Sequence, residues 1–460
     1  MNVPRQLSLR EWDRHYDDLK GKGLSESDYG GRLSRHVETE GDLRLRQLRF
    51  DSSPAALRLW NFLLTENLRL RGARARGDRI VGTMKDLGTV PVMACALPGL
   101  RAFYPDGAWW TPCLMECTDG LLQRAESLGI DSTFCPVRAM LPAFQSEEHF
   151  PSPDLLICSS GAVCDDFSAV AQRLERLGRK ILWWEVPRRR SPDPDEPACL
   201  LPGGGTAPVV QVECVRDELH RVGCALSRLA ECELTDDRLR IGIRAANCVR
   251  RELESLRHTV YSAPGPVLPA LEMLVAEMLA IHFCSDREEC LAVLRALTRE
   301  AAARRANHDS NEDADAVSVF WVNPVADLRA MNLLESCGGR LCGSDFMFTH
   351  ALDPIPEDLD PLDALARTAL ADPMIGPARD RAFRIAADCR RWNAEAVVIS
   401  RIPGASHCPW ETAAIHDFIA ERSGLPVAEL EIPSVSDALA SSLKTRLEAL
   451  IETARARRHP

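Results

Sequence analysis

Apolar positions at the start of the chain follow a helical period. Ser53-Pro54 precedes Leu57, Leu59, Trp60, Leu63 and Leu64, the pattern of a serine N-cap and first-turn proline opening an amphipathic helix. Residues 1–75 therefore read as an N-terminal helical arm. From Arg79 the texture changes to short apolar runs, at 80–81, 90–93, 155–158 and 181–184, bounded by turn residues as strands are. Between the last two runs, Phe167, Val170, Ala171, Leu174 and Leu177 recur at helical spacing and stop at Gly178. Segment 154–186 is thus one βαβ unit, which requires a parallel sheet with helices on its faces.

Residues 192–208, rich in Pro, Gly and Asp, predict an exposed connection. The triple glycine Gly203-Gly204-Gly205 has neither a preceding strand nor a following Lys-Ser or Lys-Thr, so it reads as loop rather than phosphate cradle. Residues 213–307 are helical in pattern, with Thr235-Asp236-Asp237 as a start signal. A continuous apolar strand at 317–322 follows, then a helix opened by Asn323-Pro324 and closed by Gly338-Gly339. Further elements are a strand at 396–400, a helix at 410–422, a strand at 426–432 and a closing helix at 437–455. The expected fold is α/β: two Rossmann-like lobes with parallel sheets (76–208 and 313–460), a helical segment between them (209–312) and the arm. Two similar lobes suggest an internal duplication.

A chain of 460 residues exceeds one compact core, in keeping with this division. Its net charge of -11, from 56 basic and 67 acidic residues, argues against a nucleic-acid partner, and short basic spots such as Arg188 to Arg190 read as solvated surface. No apolar run approaches the roughly 18 residues of a membrane helix, and the start lacks a signal-peptide core, so a cytoplasmic location is expected. Seventeen cysteines in such a reducing compartment point to ligands or reactive thiols rather than disulfides. Others, such as Cys224, Cys232 and Cys248 on helical stretches, read as small buried hydrophobes.

Ligands of open parallel sheets bind outside the carboxyl ends of the strands, so the cysteines expected there matter most. Cys164 follows the strand at 155–158 and precedes a helix; Cys408 holds the equivalent place after 396–400; Cys135, followed by Pro136, opens another turn. Each places a thiolate near a helix N-terminus, where amide donors and the dipole stabilise it. No Cys-x-x-Cys occurs, which removes zinc ribbons and thioredoxin-like motifs. Cys113 and Cys117, four apart, can share one helical face. Thiolates gathered from separate loops suit an iron–sulfur cluster. Cys95, Cys158, Cys284, Cys290, Cys337, Cys342 and Cys389 read as structural thiols. His407 and Glu411, flanking Cys408, are the acid–base candidates, and Asp165 and Asp166 are helix N-terminal acids. The aromatic run Phe103, Tyr104, Trp109 and Trp110 reads first as core packing and otherwise as the wall of a dry pocket.

The stretch from Asp154 to Asp165, with its strand, small-residue turn and Cys164-Asp165 pair, resembles the 2-hydroxyacyl-CoA dehydratase and benzoyl-CoA reductase family. Cys135-Pro136-Val137-Arg138 resembles that family's Cys-Pro-x-x-Arg element, and Cys408-Pro409-Trp410-Glu411 its C-terminal motif. The resemblance spans about 78–455. It implies a [4Fe-4S] cluster held between the lobes by three cysteines, a separate ATP-dependent activator that injects low-potential electrons, and work as a homodimer or as a heterodimer with a homologous subunit. It further implies radical dehydration of a 2-hydroxyacyl-CoA or reduction of an aryl-CoA. Two departures stand out: Cys164-Asp165-Asp166 replaces the usual Cys-Asp-Gly, and no Pro-x-Glu-Leu element follows the first strand. The added Cys113 and Cys117 are similar to the family's double-cubane branch, which implies [8Fe-9S]. A cluster-free scaffold subunit paired with a catalytic homologue is the alternative of another class.

Overall fold

The computed structural model describes residues 4–24, 31–40, 43–84, 88–105, 120–161, 164–307, 315–346, 348–406, 408–434 and 437–458. The arm is helical with one addition, an antiparallel ribbon of β1 (Gln6–Ser8) and β2 (Arg49–Asp51). Ser8 caps the helix Leu9–Gly21 through a reciprocal pairing with Glu11, and Trp12 Nε1 donates to Asp51 O at 3.0 Å. Ser53 caps the helix Pro54–Leu64 as its sequence predicts, its hydroxyl accepting the Ala56 amide at 3.1 Å.

The first lobe is a four-stranded parallel sheet of β3 (Arg79–Met84), β4 (Leu100–Phe103), β5 (Leu155–Gly161) and β6 (Ile181–Val186), in the order β4-β3-β5-β6. The expected βαβ unit is present: helix Asp165–Arg176 carries β5 to β6, with Leu156 opposite Ile181. One local reading changes. The run at 90–93 is the helix Val90–Cys95, because Pro91 cannot donate to a ladder but suits a helical first turn. Phe103 belongs to β4 and packs on Phe150 with centroids 5.3 Å apart, so with Tyr104 it is core; Trp109 and Trp110 lie outside the described residues.

The connection at 192–208 folds into a small hairpin, β7 (Ala198–Leu200) with β8 (Thr206–Pro208), and the triple glycine makes its turn. Helices Val209–Ala230, Asp236–Tyr261, Ala270–His282 and Arg287–Ala306 then form the expected helical segment. Every residue of Ala270–His282 is buried, the apolar majority together with Glu272, Glu277 and His282, so this helix is the pillar against which the other parts pack. Cys224 is exposed, and Cys232 and Cys248 are only partly buried: Cys224 and Cys248 sit on the outward sides of their amphipathic helices, and Cys232 lies in the connection between those helices rather than on a helix.

The second lobe repeats the first. β9 (Val317–Val322), β10 (Gly339–Asp345), β11 (Ala396–Arg401) and β12 (Val427–Glu431) are all parallel, in the order β10-β9-β11-β12. In each lobe the first strand lies inside and the chain changes direction between the first and third strands. The crevices at β3/β5 and β9/β11 are therefore the expected ligand positions. No helix of the described residues is long and apolar enough to cross a membrane.

Candidate functional site at the junction of the lobes

Cys164 is the N-cap residue of helix Asp165–Arg176, just beyond the carboxyl end of β5. Gly161, which ends β5 at φ 97°, must be glycine, since a Cβ there would stand 2.2 Å from Val186 O. Cys135 holds the same station on the short turn Pro136–Ala139, which packs against helix Asp165–Arg176. Both thiols are nearly buried, at 9% and 8% exposure for Cys135 and Cys164. Cys408 is the first residue of helix Cys408–Ser423, beyond β11. All three sequence-predicted cysteines thus sit at helix starts. Cys113, Cys117 and His407 lie outside the described residues.

Two contacts bring these starts together. The Asp166 carboxylate, two residues after Cys164, accepts the amide of Ser406, two residues before Cys408, at 2.8 Å. Gly404, at φ 77°, lies so close to the turn before Cys135 that an added Cβ would stand 2.7 Å from Thr133 O and Phe134 C. The loop between β11 and Cys408 is therefore laid across both cysteine-bearing segments of the first lobe. Burial raises the Asp166 pKa, and its bond to the Ser406 amide works against that rise.

Arg138 supplies charge at the same place. Its side chain is 6% exposed; Nη1 donates to Phe134 O at 2.7 Å and Nη2 lies 3.7 Å from Glu126 Oε1, while Nε is buried without a hydrogen-bond partner. Burial lowers its pKa, opposed by Glu126 and by the neighbouring Cys135. Arginine stays protonated under such pressure, so a fixed cation stands beside the Cys135 thiol and favours its thiolate.

On the second lobe, the wholly buried Arg381 gathers the strand ends. It donates to Asp345 Oδ2 (2.9 Å) after β10, Asn323 Oδ1 (2.8 Å) after β9 and Glu411 Oε2 (2.9 Å) in the first turn of helix Cys408–Ser423. Asn323 in turn donates to Ser400 O in β11 at 3.0 Å. Glu411 is thus the charge partner of a buried arginine as well as an acid near the crevice. Arg381 also borders a cleft of about 800 Å³ where the hairpin, helical segment and second lobe meet, lined by Arg189, Arg250, Arg251, Arg384 and the three hairpin glycines.

Sequence reasoning read Asp166 only as a helix acid and passed over Gly404 and Arg381. Arg138 was visible within its motif, whereas nothing local in the sequence marks a glycine that meets another lobe. Among the described residues no group of three or more His, Cys, Asp or Glu side chains lies close enough to hold a metal ion; the Cys408 side chain is not among those described.

The model of one protein family, described as 2-hydroxyglutaryl-CoA dehydratase, D-component, matches residues 93–454. No curated protein matches the chain. The family match takes in the whole second lobe's sheet, β4 to β6 of the first, all three cysteines and the helical segment, and by it the chain belongs to the 2-hydroxyglutaryl-CoA dehydratase D-component family.

Proposed function

We propose that this chain is the iron–sulfur subunit of a radical 2-hydroxyacyl-CoA dehydratase, holding a [4Fe-4S] cluster through Cys135, Cys164 and Cys408 and drawing electrons from an ATP-dependent activator. The observation that carries the reading is the meeting of three cysteine-bearing helix starts through Asp166–Ser406 and Gly404–Phe134. The donor set fits the group: soft sulfur from the nearly buried Cys135 and Cys164, with the Arg138 guanidinium, whose Nε lacks a hydrogen-bond partner, offsetting negative charge. Bound there, such a cluster supplies one-electron chemistry at low potential, which removal of an unactivated hydroxyl requires.

The remaining tasks fall to the chain itself. The dipoles of three helix starts favour thiolates, and the packing of the lobes keeps water away. His407 and Glu411 are the proposed proton-transfer groups, with Arg381 fixing the Glu411 carboxylate. The arginines of the 800 Å³ cleft offer cations for the phosphates of an acyl-CoA. Trp410, 84% exposed and two residues after Cys408, gives a partner, whether activator or homologous subunit, an apolar anchor near the site.

The dehydratase reading is preferred to aryl-CoA reduction because the matching family is a dehydratase component. Iron and acid-labile sulfide per chain, measured on anaerobically purified protein, provide the test. About four irons is the expected result; about eight would bring in Cys113 and Cys117 as a double-cubane protein. Folded protein that holds no iron after reconstitution overturns the proposal and leaves the scaffold subunit.

A further inference from the structure

A second thiol site lies away from this junction. Cys95 ends the helix Val90–Cys95 of the first lobe, and Cys284 lies in the turn Phe283–Ser285, which links helices Ala270–His282 and Arg287–Ala306. The two elements pack together with Cα atoms within 8 Å, and the Cys284 Sγ lies 3.9 Å from Pro91 O in that same helix. Both cysteines line one surface cavity of about 500 Å³, whose wall also carries Arg76, Arg101 and Arg287. Arg101 pairs with Asp78 at 3.2 Å, while Arg76 and Arg287 form no ion pair among the described residues. Cys95 is partly exposed to this cavity and Cys284 is nearly buried behind it.

We propose that Cys95 and Cys284 are a redox dithiol that exchanges with a small disulfide bearing carboxylates, of which oxidised glutathione is the probe. Two thiols on packed elements that line one cavity, one partly exposed and one buried, beside the guanidinium groups of Arg76 and Arg287, which form no ion pair among the described residues, have the arrangement that such exchange needs. The Cys95 thiolate attacks one sulfur of the disulfide, breaking its S–S bond and releasing one thiol that takes up the proton Cys95 gave. The Cys284 thiolate then attacks Cys95 Sγ, expels the second thiol with its own proton and closes the Cys95–Cys284 bond. Two electrons pass from the protein thiols to the small disulfide, which leaves as two thiols. Burial and the adjoining Cys95 push the Cys284 thiol well above the ordinary thiol range, in line with its role as the second nucleophile. The new bond ties the first lobe to the helical segment, so the redox state of the surroundings governs how freely the two move against each other. This inference is independent of the cluster.

The full chain, purified without oxygen, is incubated with excess oxidised glutathione, alkylated, digested and mapped by mass spectrometry. The expected result is a cross-linked pair of peptides carrying Cys95 and Cys284, cleavable by dithiothreitol, with a parallel loss of about tenfold in the alkylated form of each. Cys284→Ala should trap glutathione on Cys95, and Cys95→Ser should leave Cys284 alkylatable. Recovery of both cysteines alkylated in the wild-type chain, or of glutathione on Cys95 with Cys284 still alkylatable, overturns the proposal whatever the variants do.

Discussion

The carboxylate of Asp166 and the backbone amide of Ser406 meet at 2.8 Å across 240 positions of sequence, and that bond spans the two lobes between the segments that carry Cys164 and Cys408. Replacing Asp166 by Ala strands a part-buried amide, at a cost of about 1–3 kcal/mol. Asp166→Ala should therefore lower the urea midpoint and reduce iron retained on gel filtration. Asp166→Asn keeps an acceptor and should retain most of both. Equal loss in the two variants would mean that charge, not the hydrogen bond, matters at this position.

Gly404 permits the close approach of the β11 loop to Phe134. In Gly404→Ala a left-handed backbone and a Cβ pressed onto main-chain atoms together cost roughly 1 kcal/mol or more. The loop must lift, carrying Cys408 away from Cys135. Iron content after reconstitution should fall at least in proportion to thermal stability; unchanged iron content would show that the loop position is unimportant to the site.

Arg381, itself wholly buried, neutralises Asp345 and Glu411. Arg381→Met leaves two carboxylates without their cation, a loss of about 3–5 kcal/mol measurable by denaturant unfolding. Glu411→Gln in the same background should recover part of that loss, since it removes one of the stranded charges. A double variant no more stable than Arg381→Met would show that Glu411 is not coupled to this arginine.

Glu272 gives the fold a pH signature. Its Oε1 accepts from the Asp51 amide (2.9 Å) and Trp60 Nε1 (3.0 Å), while Oε2 is buried without a partner; burial, then the charge of Asp51, raises its pKa to about 8. The unfolded chain loses this proton near pH ~4.3, whereas the folded chain keeps it until about 8, so this group's contribution is full below the first value and declines as pH rises to the second. Glu272→Gln should flatten the profile of melting temperature against pH between those limits and gain most near pH 8. Parallel profiles for variant and wild type would remove Glu272 as the cause.

Strands such as β5 and β9 were legible because their residues are apolar and bounded by turns. β10 was not: Gly339, Arg340, Gly343, Ser344 and Asp345 give no strand pattern. Its polar groups are met by distant partners, Arg340 by Tyr261 O at 3.3 Å and Asp345 by Arg381. The three cysteines of the junction could be singled out because each precedes a helix, a local property. Their convergence could not, since it depends on one main-chain amide and one missing side chain. The Cys95–Cys284 pair escaped notice for a related reason, as each cysteine looks ordinary until the two elements pack.

The matched strand orders of the two sheets make Cys164 and Cys408 counterparts, each at the start of the helix that follows the third strand of its lobe. Two identical halves set face to face would present thiols only in even numbers. An odd thiol needs a break in the repeat, and Cys135 provides it: between β10 and β11 the second half has only Cys389, buried in the last turn of helix Ala378–Arg391. For the proposed cluster, the third thiol therefore comes from a turn of the first lobe that has no cysteine counterpart at a helix start between β10 and β11.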